Sequence, residues 1–153
     1  MNEPRFEVLP EMELVGLAVS TYPMNHPKAD PTLIPELWDF LFQLINATGT
    51  EVKGQMYGAQ IMDGDSLSYL ASFESEADLP GSERWLLPES TYAIFEHKGR
   101  VETLGNLFDD IFNTWLPSSK KQLRPSPALE IYDERFIPDS DDSIMMVAIP
   151  LED

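Results

Sequence analysis

The chain contains no cysteine, which excludes disulfides, zinc–thiolate sites and thiol nucleophiles. It has two histidines, His26 and His97, which lie far apart and show no His-Glu-x-x-His spacing. No apolar run approaches the roughly 18 residues that a membrane-spanning helix needs. The N-terminus also lacks the charged-then-apolar pattern of a signal peptide. We therefore expect a cytoplasmic protein with no metal, no cofactor and no membrane partner.

Positive charge is scarce as well. The chain has ten Lys and Arg residues and 27 Asp and Glu residues, which gives a net charge of −17 at pH 7. Such a surface repels phosphate backbones, so we expect no direct contact with nucleic acid. The same charge would raise the concentration of cationic ligands near a cleft, although acidity can also serve solubility alone. The 153 residues are 42% hydrophobic, enough for one globular domain with its own core.

Hydrophobic spacing predicts the same order of elements twice along the chain. The first half contains a strand, a helix and a hairpin: Arg5 to Ser20, a helix from Thr32–Pro35 to Thr48-Gly49, and two strands around Asp63-Gly64-Asp65. The second half repeats that order: Glu83 to Lys98 bent near Pro88, a helix from Arg100 to Trp115 stopped by Pro117, the strand Ala128–Tyr132, and the final strand Ile144 to Leu151. This repetition indicates a duplicated chain.

The duplication predicts the fold class. We expect a single domain over 1–153 with pseudo-repeats of about 1–78 and 79–153. Superposing the helices places Leu37 on Leu104, and superposing the strands that follow places Gln60 opposite Glu130. The predicted architecture is α+β, with duplicated strand-helix-hairpin units, antiparallel sheets, two main helices and a central groove on a pseudo-twofold axis. Ligand sites favour clefts of this kind.

Glu130 is the residue that points most directly at chemistry. Side chains alternate along a strand, so Leu129 and Ile131 face one way while Ala128, Glu130 and Tyr132 face the other. If the first face packs on the helices, the second presents an acid beside an aromatic ring. Such a pair can hold an organic cation, because charge neutralises charge and ring faces attract positive groups. A solvent-facing acid on an edge strand is the simpler alternative.

Several segments together resemble a known family. They are Pro88–Gly99, Trp115-Leu116-Pro117, Leu129–Asp133 and Met146–Leu151. They resemble the GyrI-like small-molecule-binding domain, the effector-binding module of AraC-type and MerR-type regulators. The resemblance implies a duplicated α+β fold whose multidrug-sensing members bind lipophilic cations at a glutamate matching Glu130. No helix-turn-helix segment is evident, so we expect a stand-alone domain rather than a DNA-binding regulator.

The ligand-binding candidates are Glu130, Tyr132, Trp115 and Tyr57. Tyr132 shares the face of Glu130 and could stack on a ligand or donate its hydroxyl to the acid. Trp115 lies on the apolar stripe of its helix, where core packing is the usual role, and the resemblance makes it a pocket wall. Tyr57 could line the groove or pack in the sheet. Trp38 and Trp85 have less to place them.

Binding of a lipophilic cation in a transcription-effector or drug- and toxin-response context is the function that these observations favour. Two alternatives stay open. A desolvated Glu130 could act as a general base in a hydrolase of electrophilic toxins, in which case it would be catalytic. The acidic surface could instead meet a protein partner such as gyrase or a regulator, through contacts that salt would weaken.

Overall fold

The structure is a computed structural model that describes residues 3–23 and 26–153. Within those residues the chain forms eight strands. They are β1 (Arg5–Leu9), β2 (Met12–Thr21), β3 (Met56–Asp63), β4 (Ser66–Glu74), β5 (Glu83–Leu87), β6 (Ser90–Lys98), β7 (Ala128–Tyr132) and β8 (Ile144–Leu151). The predicted hairpin is confirmed as β3–β4, and Gly64 adopts the positive φ of +65° that its tight turn needs.

The first helix, α1, covers Leu33–Thr48 and matches its prediction. Pro35 lies in the first turn, where a missing N–H costs no helical hydrogen bond. Gly49 follows in the left-handed region with φ of +66°. The N–H groups of Gly49 and Thr50 donate to the carbonyls of Asn46 and Ile45, at 3.4 and 3.1 Å. Glycine ends the helix because it enters this conformation without strain.

The second helical segment is less regular than predicted. A 3₁₀ turn at Val101–Thr103 leads into α2 (Leu104–Asp110), a wider turn of π-helical geometry follows at Ile111–Trp115, and α3 covers Leu116–Ser119. The expectation that Pro117 stops the helix is wrong, since it lies in the first turn of α3. A wider turn changes the hydrogen-bond register just before the proline, so the missing N–H is tolerated there.

All eight strands belong to one antiparallel sheet with the order β1-β6-β8-β7-β3-β4-β2-β5. The two predicted halves therefore join edge to edge at the β3–β7 ladder. The predicted α+β class, with two main helices over antiparallel strands in a duplicated arrangement, is confirmed. The order on one side of that ladder mirrors the order on the other.

The segment Arg5 to Ser20 is two strands, where one was predicted. Pro10 separates β1 from β2, as Pro88 separates β5 from β6. β1 pairs with β6 of the second half, and β5 pairs with β2 of the first half. Each half therefore gives its first strand to the sheet of the other half. Strand pairing of this kind is long-range, so periodicity along the chain does not reveal it.

The two faces of the sheet have different coverings. The face without helices, called the inner face here, buries a cluster of side chains from the seven strands β2 to β8: Met12, Leu14, Tyr57, Ala59, Leu70, Leu87, Tyr92, Ile94, Leu129, Ile131, Met146 and Ala148. Among the residues that the structure describes, no helical side chain belongs to this cluster, so the sheet must curl to shield these side chains from water. The outer face carries α1 over one apolar cluster and α2 over another.

Candidate functional site

Glu130 lies on the outer face at the join between the two halves, with 7% of its surface exposed. The supposition that the face of Leu129 and Ile131 packs on the helices is wrong, and the structure shows the reverse. Leu129 and Ile131 point into the inner cluster, while Glu130 faces the helix side. The reason is the curl of the sheet. The strands alone bury the inner face, and the helices pack on the outer face.

Three neutral groups hold the Glu130 carboxylate. Its Oε1 accepts hydrogen bonds from the hydroxyls of Tyr69 and Tyr132, each at 2.7 Å. Its Oε2 accepts one longer bond of 3.3 Å from Nε2 of Gln60. Tyr132 therefore donates its hydroxyl to the acid, which is one of the two roles considered for it. The two oxygens are unequally satisfied, because Oε1 has two short bonds and Oε2 has a single long one.

Aromatic rings enclose this carboxylate. Trp38, on α1, donates from Nε1 to the Tyr69 hydroxyl at 3.0 Å, so it orients one of the donors. The Trp38 ring also meets Tyr132 edge-on, with centroids 5.6 Å apart. On its far side Tyr132 meets Phe136 in the same way, at 4.8 Å. An indole and two phenolic donors thus form a continuous aromatic frame around the acid.

Gly58 makes room for the carboxylate. It is the residue directly across the β3–β7 ladder from Glu130, and Gln60 lies one step further along the same face of β3. A Cβ atom on Gly58 would lie 2.6 Å from Oε1 of Glu130 and would also press on the Tyr69 ring. Any side chain at this position would therefore displace the hydrogen bond between Tyr69 and Glu130.

The environment shifts the protonation of these groups. Burial raises the pKa of the Glu130 carboxyl above its ordinary value, and the hydrogen bonds from Tyr132 and Tyr69 only partly oppose that rise. Burial and the adjacent Glu130 charge raise the pKa of both tyrosine hydroxyls well above their ordinary value, so they remain donors. Among residues 3–23 and 26–153, no Lys, Arg or His pairs with Glu130.

Trp115 shares the outer face but lies elsewhere on it. Its ring packs edge-on against Phe95 of β6, at 5.1 Å, and lies 6.2 Å from the ring of Phe6 on β1. In the sheet order, β8 separates β6 from the strand of Glu130. Core packing therefore describes Trp115 better than a wall beside the acid. Trp38 takes that place, although the sequence offered little to position it.

Tyr57 lies on the other side of the sheet. It pairs with Ile131 across the β3–β7 ladder and belongs to the inner cluster. Tyr57 does not lie beside Glu130, because adjacent residues of a strand face opposite ways and Gly58 holds the outer position. Its part in ligand binding stays a prediction. The structure thus brings Glu130 and Tyr132 together and leaves Trp115 and Tyr57 apart from them.

Tyr69 is the main residue that sequence reasoning missed. The Asp63-Gly64-Asp65 turn carried a usable signal, since a two-residue hairpin turn fixes the register of its strands. That register pairs Gln60 with Tyr69 on one face. Because the duplication already places Gln60 opposite Glu130, this register also predicts that Tyr69 lies near Glu130. Gly58 carried a weaker signal as a glycine inside a strand, where close approach of another group is a common reason.

Two further kinds of feature are absent from the described residues. They contain no group of three or more His, Cys, Asp or Glu side chains placed to hold a metal ion. In the same part of the chain, every helix is too short or too polar to cross a membrane.

Comparison with known proteins identifies the family and supports the fold. The family model for the GyrI-like small molecule binding domain matches residues 2–152. The chain belongs to the GyrI-like family. A curated relative is the transcriptional regulator BrlR of Pseudomonas aeruginosa, 29% identical over 109 residues. That match covers 67% of this chain and 40% of the regulator, so the chain spans under half of that relative's length.

Solved structures share the GyrI-like fold over almost the entire chain. SAV2435 bound to tetraphenylphosphonium is 17% identical with a TM-score of 0.76, and the match covers 99% of this chain and 94% of that one. The C-terminal domain of EcmrR is 13% identical with a TM-score of 0.74, covering 98% and 97% of the two chains. These likenesses establish the fold of a small-molecule-binding domain.

Proposed function

We propose that this GyrI-like domain binds an amphipathic organic cation at Glu130, in a groove between the helices of the outer face. We infer a role in a transcription-effector or drug- and toxin-response context. The observation that carries the proposal is a buried carboxylate with neutral donors and no internal cation among the described residues. Such a group is unusual, because charged side chains are almost never fully buried unless they are paired.

The electrostatics favour a bound cation. Removing a carboxylate from water costs several kcal/mol even after the protein relaxes. Three neutral hydrogen bonds offset part of that cost and leave the negative charge in place. A cation beside Oε2, the less satisfied oxygen, would add an attraction that the low-dielectric surroundings strengthen. A bound cation would also oppose the rise in the pKa of Glu130, so binding would favour the ionised carboxylate.

The aromatic frame suits the apolar part of such a ligand. Ring faces attract cations, and large rings supply contact area with little loss of side-chain freedom. From the acid, the rings lead outward through Trp38 to Phe42, whose centroid lies 6.0 Å from that of Trp38. Phe42 is 46% exposed, so this row of rings reaches the surface. It marks a path from solvent to Glu130.

A movement of α1 would open that path. Leu41 is the one fully buried residue of α1, and no side chain caps the N-terminus of the helix. The other apolar residues of α1 that pack on the sheet are only partly buried, so α1 should shift at a lower cost in free energy than the sheet beneath it. Trp38 lies on the same helix, so its displacement would release the Tyr69 hydroxyl and expose the carboxylate. The tetraphenylphosphonium bound by SAV2435, a protein of the same fold, supports a ligand of this class.

Calorimetric titration tests the proposal with tetraphenylphosphonium and the neutral triphenylphosphine oxide as probes. Glu130→Gln keeps the shape of the side chain and removes its charge, so the affinity for the phosphonium should fall at least about tenfold, as for a lost charged contact. The affinity for the oxide should change less than about threefold. Glu134→Gln is the matched control, since it removes one exposed charge nearby. Equal losses for both probes would refute an ion pair at Glu130.

A further inference from the structure

The inner face holds a concave feature that is separate from the site at Glu130. It is a hollow of about 340 Å³ at the end of the curled sheet, within the volume range of small-molecule sites, about 300–1,000 Å³. Its floor is apolar and consists of Met12, Tyr57, Ile94, Ile131 and Met146. Each of these side chains is at most 7% exposed and belongs to the inner cluster, so the floor is part of the protein core.

Charged groups stand at the rim of this hollow. Arg5 and Glu7, both on β1, pair with each other at 3.3 Å, and a guanidinium nitrogen of Arg5 also lies 3.4 Å from the sulfur of Met146. Glu74, at the end of β4, has no cationic partner among residues 3–23 and 26–153. The rim therefore carries one uncompensated negative charge beside an aromatic ring.

Tyr57 connects the rim to the floor. Its hydroxyl accepts a hydrogen bond of 2.9 Å from Nε2 of Gln55. Its own proton has no acceptor in the part of the chain that the structure describes, so it is available to a bound molecule. Burial, opposed by the bond from Gln55, raises the pKa of this hydroxyl, which keeps it protonated.

We propose that this hollow binds a compact organic ammonium compound. Its apolar body would rest on the floor, and its ammonium group would lie between Glu74 and the Tyr57 ring. Charge complementarity favours this class, because the Arg5–Glu7 pair cancels and Glu74 alone remains. Tyr57 adds an aromatic ring to the lining of the hollow, and such rings attract cations. This site is independent of Glu130, which lies on the opposite side of the same two strands.

Adjacent methionines provide a direct test. Met146 lies in the hollow, while Met145 lies in the cluster beneath α2 on the outer face. With ¹³C-methyl methionine, 2-phenylethylamine should shift the Met146 and Met12 signals in a saturable manner and leave Met145 unchanged. The neutral 2-phenylethanol should bind more weakly. Absence of a Met146 shift at millimolar probe, or equal affinity for the two probes, would overturn the proposal.

Variants separate this site from the one at Glu130. Glu74→Gln should weaken the amine about threefold, the effect expected for an exposed charge. Glu76→Gln, two residues further on and also exposed, should leave the affinity unchanged. Glu130→Gln should abolish neither the Met12 nor the Met146 response. If Glu130→Gln removes that response while Glu74→Gln does not, the amine binds on the outer face and the assignment to the hollow is wrong.

Discussion

The two faces of the β3–β7 ladder differ although their residues are neighbours in sequence. On the outer face, Gly58 lies across from Glu130, and on the inner face Tyr57 lies across from Ile131. At the outer pair, the side chains of Tyr69, Tyr132 and Gln60 donate to the Glu130 carboxylate, which is buried from water. The inner pair forms the floor of an open hollow whose charges stay at the rim. One ladder therefore carries a closed polar site and an open apolar one.

This difference shows what each kind of site demands of the chain. A buried charge needs several donors at hydrogen-bond distance, because each unsatisfied polar group costs free energy. Glu130 accordingly depends on Tyr69, Tyr132 and Gln60, which come from three strands. An apolar hollow needs only shape, so its floor tolerates changes that preserve volume. The outer site should be the more sensitive of the two to single substitutions.

Gly58→Ala should produce the largest change. The added methyl would collide with the Glu130 carboxylate and the Tyr69 ring, so overpacking should lower the free energy of unfolding by about 1–3 kcal/mol. Phosphonium affinity should fall along with it. Urea unfolding checks the first effect and calorimetry the second. Gly105→Ala is the control, because a methyl there meets nothing within 4 Å and should be neutral or slightly stabilising.

The same substitution on each face, Tyr69→Phe on the outer one and Tyr57→Phe on the inner one, removes a single hydroxyl and compares the two sites. Loss of the Tyr69 hydroxyl leaves both Trp38 and Glu130 short of a partner, so stability should fall by about 1–2 kcal/mol. Loss of the Tyr57 hydroxyl frees only Gln55 at the rim, and the change should stay below about 0.5 kcal/mol. Equal losses in urea unfolding would mean that the faces do not differ in this way.

The pH dependence should be the smallest effect and is expected at the outer site, where the buried Glu130 carboxyl has a raised pKa. Because the pKa of Glu130 is raised by folding, its protonated form favours the folded state. The stability it contributes is present below its ordinary pKa and is lost as the pH rises through the raised value. Cation affinity should change in the opposite sense and increase over the same range. Melting curves of the wild type against Glu130→Gln, taken from pH 4 upward, measure the first effect; curves that stay parallel would contradict it.

Local signals in the sequence were sufficient for the elements that depend on neighbours in the chain. Pro35 and Gly49 marked the ends of α1, and the turn at Gly64 marked the β3–β4 hairpin. Apart from the break between β1 and β2, the order of the elements followed from periodicity, and so did the position of Glu130 on a strand. The pairing of Glu130 with Tyr132 followed from alternation along that strand.

The remaining features depend on distant contacts. The curl of the whole sheet decides which face of β7 and of its partner β3 meets the helices. The side of the sheet on which Tyr57 lies could therefore not be predicted from its own segment. The exchange of β1 and β5 did leave a trace, since Leu9-Pro10-Glu11 and Leu87-Pro88-Glu89 repeat at equivalent breaks. Trp38 was visible as an aromatic residue on a helix, but its contact with Tyr69 required the packing of α1 on the sheet.

The exchange of first strands limits how this domain can move. β1 is hydrogen-bonded to the second half and β5 to the first, so a hinge rotation of one half against the other would break both pairings at once. The curled sheet should therefore move as one rigid body. Access to Glu130 then has to come from the layer above it, by a shift of α1 that carries Trp38 away from Tyr69. A signal leaving this site would travel as a helix displacement over a stationary sheet.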